Sequence, residues 1–436
     1  MLRLALLPIA LPIAALLVAS AVGQPLPRAG VLAPSMAAEI AFVLPDGMPA
    51  IVDGASGLVT PLAQGAMQAS FPSWSPDGDR VAYTSLTSGR ASVDVVALRP
   101  AHASAGSPSG RVLAAPAVSV YGSRSDAPIY VSWSPAGDRL AILAVDVDGL
   151  ALYLADADGG GSTLFSRGNP FFWSWDGAGE RLLVHRDVLG VAPLVGFTAL
   201  AGFDVTYPFP DPGVFQTPAL SAGERFVAYA TRTMGDTRRV VMTEARAFAP
   251  EPGPDVIKRE LPHAGQAAIA WHPHLDVLAI QRGEPNGFGS LALLYADSGD
   301  LVVLVEGGSL AYFWAPDGGS IAYLTLDWGG PGLGPERRVL SLVQERDLPR
   351  LALKVVDVFT GLSEEIAIFE PTRSFVEQFL PFFDQYARSH RVWSPASDAL
   401  VFSVLGPDGV GTVTRFGLDG SVTPLSQGEM PSYNVR

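Results

Sequence analysis

Cysteine is absent from the 436-residue chain, which excludes disulfides, thiolate metal sites and a cysteine nucleophile. Lysine is nearly absent too: Lys258 and Lys354 stand alone, and arginine carries the rest of the positive charge. Lys and Arg together number 29 against 43 Asp and Glu, so the net charge is −14. Such a surface repels phosphate backbones and argues against nucleic acid as a partner. A G-x-S-x-G nucleophile elbow is missing, since Gly287-Phe288-Gly289-Ser290 has the wrong spacing. An H-E-x-x-H zinc motif is missing as well. Beyond Val18 no run is long and apolar enough to cross a bilayer as a helix. Charged residues are only 17% of the chain and hydrophobic ones 48%, too apolar a balance for disorder.

What the chain does hold is a repeated hairpin. Phe71-Pro72-Ser73-Trp74-Ser75-Pro76-Asp77-Gly78-Asp79-Arg80-Val81-Ala82-Tyr83 reads as strand, tight turn, strand. Proline fixes φ, aspartate bonds its own backbone, and glycine accepts a positive φ. Trp133-Ser134-Pro135-Ala136-Gly137-Asp138-Arg139 repeats it. Trp173-Ser174-Trp175-Asp176-Gly177, Trp314-Ala315-Pro316-Asp317-Gly318 and Trp393-Ser394-Pro395-Ala396-Ser397 follow. Trp271-His272-Pro273-His274 is a weaker copy, and Ala219 to Arg225 a copy without tryptophan. A period of about 40–50 residues with several short strands in each unit marks a β-propeller.

The expected fold is therefore all-β: one propeller of about eight four-stranded blades over residues 39–436. Seven is the alternative if the unit near Ala219 is not a full blade. The first unit, from Ile40 to Leu62, has three strands and lacks an innermost one. Thr423-Pro424-Leu425-Ser426-Gln427-Gly428 echoes Thr60-Pro61-Leu62-Ala63-Gln64-Gly65, so the C-terminal residues are expected to supply that strand and close the ring. The second unit is expected to end in an outer strand over Arg111–Ala114. Insertions at 328–348 and 370–390 break the rhythm. In the latter, Phe375, Phe379, Phe382, Phe383 and Tyr386 fall near helical spacing, with Pro381 starting or kinking the helix.

The Trp-Ser-Pro-Asp-Gly turns resemble the WD40-like PD40 repeat of TolB-type β-propellers, over nearly the whole chain after the N-terminal segment. The resemblance implies the fold and little about function. TolB carries an α/β domain ahead of its propeller, for which residues 23–38 are too short. Prolyl-oligopeptidase-type enzymes add a hydrolase domain that is not recognisable here, so neither role is implied.

Residues 1–22 read as a signal peptide: Arg3, an apolar stretch from Leu4 to Val18, then Ala19-Ser20-Ala21 for cleavage. An uncleaved anchor is the rival. Residues 23–38 form a Pro/Ala/Gly linker. The expectation is an exported chain, periplasmic or extracellular, tethered to the membrane only if that segment stays.

The candidate ligand- or partner-binding residues are Phe383, Asp384, Tyr386, Arg388 and His390. They combine an aromatic face with polar groups directly before an innermost strand, at one mouth of the channel. The bland alternative is a cap that packs its aromatics on the blade rims. His272 and His274 could join a metal site but lack a third ligand nearby, and read as turn residues. Asp146-Val147-Asp148-Gly149 and Asp156-Ala157-Asp158-Gly159 lack the late glutamate of a calcium loop and read as hairpin turns. The repeated tryptophans read as inter-blade packing. No catalytic residue, metal or cofactor is assigned. The expectation is a monomeric binding or scaffold module for a protein, peptide or glycan. The alternative is a propeller-type hydrolase or lyase, which needs histidines and carboxylates converging at the channel.

Overall fold

The computed structural model describes residues 38–65, 67–100, 111–113, 115–188, 191–200, 205–208, 217–232, 238–248, 256–283, 289–327 and 349–436. The expected signal segment, all but the last residue of the linker, and the 328–348 insertion lie outside them. Eight antiparallel sheets follow one another along the chain as the blades of a β-propeller. Blade 3 is a plain example, with strands Ala127–Trp133, Arg139–Asp146, Gly149–Asp156 and Ser162–Gly168 from the axis outward.

Blade 1 joins both ends of the propeller. Glu429–Tyr433 is its innermost strand, pairing antiparallel with Glu39–Val43, and Pro49–Asp53 and Val59–Pro61 complete it. Ile40 opposes Tyr433 and Ala41 opposes Ser432. Tyr433 and Ser432 are wholly buried. Asn434 Nδ2 donates to Glu39 Oε2 (3.0 Å) and to the Gly78 carbonyl (3.2 Å), tying the closure to the next blade's turn. Gly78 has φ +70°, and a Cβ there would collide with Asn434 as well as strain the turn.

Two blades depart from the sequence reading. In blade 2 the expected Arg111–Ala114 strand covers only part of the long third strand, Arg90–Pro100. Val118–Ser123 pairs with Ala91–Val95 and fills the rest of the outer edge. Its Val-Ser-Val-Tyr alternation is a strand signal that the sequence reading passed over. In blade 8 the innermost strand shrinks to a single bridge, Trp393 to Leu400, inside Ala399–Leu405, Gly411–Gly417 and Val422–Gln427. The Trp-less unit is a full blade opened by Ala219–Leu220, so eight holds and seven does not.

The repeated turn has a shared hydrogen-bond plan. The residue after the tryptophan position closes the hairpin with its backbone and accepts the returning N–H with its side chain. Arg80 N reaches Ser75 Oγ at 3.0 Å, Arg139 N reaches Ser134 Oγ at 3.1 Å, and Arg181 N reaches Asp176 Oδ1 at 3.0 Å. Phe226 N to Ser221 Oγ and Ala399 N to Ser394 Oγ repeat this at 3.1 Å each. In the weak copy His272 Nδ1 accepts from His274 N and Leu275 N, both at 3.0 Å, so this histidine is a turn cap.

The tryptophans join each blade to the one before it. Trp74 Nε1 donates to the Ser432 carbonyl (3.0 Å), Trp133 to Ser73 (3.1 Å) and Trp271 to Ala219 (3.1 Å). Trp314 donates to Ala270 (3.2 Å) and Trp393 to Phe313 (3.0 Å). In each case the acceptor immediately precedes the tryptophan position of the preceding blade. Trp175 uses Ser132 Oγ instead (3.1 Å). Each indole thus buries a large apolar face and satisfies its one donor across the seam.

Candidate functional site

The segment 371–390 does not sit on the rim. It lies inside the channel, at the end where the innermost strands begin. Phe375–Phe379 forms a π turn, Leu380–Phe382 a 3₁₀ turn around Pro381, and Phe383–Tyr386 one α turn. Phe379, Phe383 and Tyr386 are buried in the bore, while Phe382 faces out. Tyr386 stacks on Phe71 (centroids 4.8 Å) and meets Tyr130 edge-on (5.2 Å). Phe383 packs against Tyr312 (5.6 Å) and Phe313 (5.9 Å). Phe71 is presented from a bulge at φ +51°, a left-handed conformation that costs a side chain about 1–2 kcal/mol.

The polar groups of this plug are bonded to the strands around it. Gln385 is the hub. Its Oε1 accepts from Trp173 N (3.1 Å) and Thr217 Oγ1 (3.3 Å), its Nε2 donates to the Trp173 carbonyl (3.3 Å), and its own carbonyl accepts from Tyr130 Oη (2.9 Å). Asp384 Oδ2 accepts from Thr217 N at 3.0 Å. Burial pushes the Asp384 carboxyl up, against the pull of the Thr217 bonds and the Arg388 charge. Tyr386 Oη donates to the Ile129 carbonyl (3.2 Å), and Ser73 Oγ donates to the Ser389 carbonyl (3.3 Å).

Beyond the plug, toward the hairpin turns, the channel is hollow. Two adjoining cavities of about 250 and 410 Å³ share Arg388 and Arg391 as lining. The larger runs from Asp384 and Arg388 to Trp271, Trp314, Pro273 and Pro316, reaching the surface at the exposed turn residues Ala222 and Pro316. Its size falls in the range of small-molecule pockets, about 300–1,000 Å³.

The five sequence candidates are therefore all brought to the channel, in two groups. Phe383, Tyr386 and His390 are buried in packing. Asp384 and Arg388 line the chamber, and Phe383 and His390 also reach its wall. Gln385 and Arg391 were missed as site residues. Arg391 had a signal: it stands two residues before its repeat's tryptophan. Pro72, Val131, Trp173, Ile269 and Tyr312 occupy that place elsewhere.

His390 donates or accepts at Nδ1 with Ser389 Oγ (2.9 Å). Burial, reinforced by the Arg391 charge, pulls its pKa down to about 3. His272, buried in its turn beside His274, is pulled down to about 4. Both stay neutral in the folded protein while the unfolded chain takes up protons below about pH 6.5. Stability should therefore be flat above pH 7 and fall as pH drops, by up to about 1.4 kcal/mol per unit for each histidine between about pH 6 and 4. Urea midpoints at pH 7, 6 and 5 check this, and His390→Asn should shallow the slope. A slope unchanged by that substitution would rule His390 out as its cause. Among the described residues no three His, Asp or Glu side chains are grouped to hold a metal ion.

The sequence matches no protein-family model, and no curated protein is significantly similar to it. Solved structures are similar in fold. A eukaryotic initiation factor structure is 11% identical with TM-score 0.52, over 92% of this chain and 99% of that one. Oligopeptidase B from Leishmania major is 13% identical with TM-score 0.50, over 84% of this chain and 49% of that one. TolB from Acinetobacter baumannii is 17% identical with TM-score 0.36, over 63% of this chain and 66% of that one. At such identities the likeness is one of architecture, the β-propeller.

Proposed function

We propose that this chain is an exported propeller that works by binding, and that its ligand or partner enters the chamber at the turn-side end of the channel. The observation carrying this reading is the chamber itself: a hollow of about 410 Å³ with a floor made by the chain's own plug and a mouth among the repeated turns. Export rests on the n-region, apolar stretch and small-residue site of residues 1–22. The acid–base groups near the chamber favour binding over catalysis. Asp384 is bonded to the Thr217 backbone, and His272 caps its own turn. The protein or peptide partner expected from the sequence fits a mouth framed by turns on several blades.

Ala222→Trp combined with Pro316→Arg would fill the mouth without touching plug or core. The variant should unfold at the wild-type temperature and fail to retain whatever the wild type captures from a secreted or periplasmic extract. Equal capture by both would remove the chamber from the function.

A further inference from the structure

The chamber has a chemical bias that its shape alone does not give. Arg388 and Arg391 both line it, on the two cavities' shared boundary. Among the described residues neither makes an ion pair. Arg388 donates to the Pro218 carbonyl at 3.3 Å and feels Asp384 only at longer range. Arg391 has less: its Nη1 is buried with no hydrogen-bond partner. Its backbone is engaged at both groups, the N–H with Ser432 Oγ at 3.1 Å and the carbonyl with Tyr433 N at 2.8 Å. Burial without a counter-charge pulls its pKa down to about 10. The neighbouring His390 is neutral and offers no compensation. Arg391 is half-buried and Arg388 exposed, so each guanidinium is only partly desolvated, and a missing counter-charge of this kind persists where a ligand supplies it.

Resting on the chamber as the binding site, we infer that the occupant is an organic carboxylate, seated on the Arg388–Arg391 pair with an apolar body against Trp271, Trp314 and the turn prolines. The guanidinium fork matches a carboxylate with two parallel bonds. Indole and proline walls suit a carbon skeleton better than a bare, strongly hydrated inorganic anion. The net charge of −14 makes this a local reversal of sign: outside, anions are repelled, and only one held by direct bonds and apolar contact stays. The carboxylate could belong to a free small acid or to the C-terminus of a peptide. The chemistry is shared.

The test is calorimetric titration of the whole protein at fixed ionic strength with five probes. These are phenylacetate, its neutral counterpart phenylacetamide, inorganic phosphate, and a short peptide ending in phenylalanine with a free or amidated C-terminus. Phenylacetate or the free-ended peptide should bind, and the matching amide should bind at least about tenfold more weakly. Arg388→Gln and Arg391→Gln should each weaken binding about 10- to 100-fold. Arg391→Gln should also raise the unfolding temperature of the ligand-free protein, because it removes an uncompensated buried charge. This shows that the variant folds. Tight binding of the free-ended peptide over phenylacetate assigns the chain terminus as source, and the reverse assigns a free acid. Equal affinity for acid and amide would overturn the inference while leaving the chamber a binding site. Preference for phosphate would overturn it too. So would no binding of either carboxylate up to about 10 mM, and if the mouth-filled variant still lost its partner, the chamber reading would survive that failure.

Discussion

Removing residues 429–436 should abolish cooperative folding. The deleted stretch is the innermost strand of blade 1, and its loss does three things at once. It strips Glu39–Val43 of its axial partner, exposing an edge that carries the fully buried Ile40 and Phe42. It takes away the Ser432 carbonyl that receives Trp74 Nε1 and the Ser432 Oγ that receives Arg391 N. It also empties the space of Tyr433, which is wholly buried. A buried aromatic alone is worth about 3–5 kcal/mol, and a domain has about 5–15 kcal/mol in total. Circular dichroism during urea unfolding checks the expectation: the truncated chain should lose its sigmoidal transition, and a peptide of residues 427–436 should restore part of it. A truncated chain that unfolds at the wild-type midpoint would show that the ring does not depend on this strand.

The second large effect is expected at Gln385. Substituting leucine keeps the volume but leaves the Trp173 N–H and the Trp173 carbonyl without their partner inside the bore. Each buried polar group left unsatisfied costs about 1–3 kcal/mol, so Gln385→Leu should lower stability by about 2–6 kcal/mol. Asp384→Asn is the informative contrast. It keeps an acceptor for Thr217 N and removes a charge that burial disfavours, so its effect should lie within about 1 kcal/mol of zero. Urea unfolding of both variants at neutral pH separates them. Equal effects would mean that the plug is held by its aromatic packing alone.

Much of the ring could be read in the residues. The Ser-Pro-Asp-Gly turns announce themselves because a left-handed position demands glycine in most copies, as at Gly78, Gly137 and Gly179. Two copies replace it: Glu224, in the unit without tryptophan, and Ser397 take φ +55° and +59° with side chains. The echo of residues 60–65 in 423–428 gave the closure, because one blade split between two ends must repeat its flanking pattern. The outer strand Val118–Ser123 was passed over because blade edges are short and half exposed, so a brief Val-Ser-Val-Tyr alternation looks like any loop.

The site was legible in composition but not in placement. The spacing of Phe375, Phe379, Phe383 and Tyr386 pointed to one apolar face. A helix with such a face packs equally well on a rim or inside a bore, and periodicity carries no information about which. The polar residues read as displayed are instead shared between packing and a cavity that sequence cannot draw. Gln385 gave no signal, since a glutamine bonding to backbone looks like any other glutamine. Arg391 did give one, as a charge in a column that is apolar in the other repeats read above.

The plug also governs how this architecture can change over generations. Propellers gain and lose blades by duplication and deletion of a repeat, and an empty bore tolerates either. Here the bore is gauged from within: one segment touches Phe71, Tyr130, Trp173, Thr217 and Tyr312, which belong to five different repeats. A ninth repeat would leave that segment loose and the loss of one would crush it, so the repeat number is locked to twenty residues that are not part of any repeat.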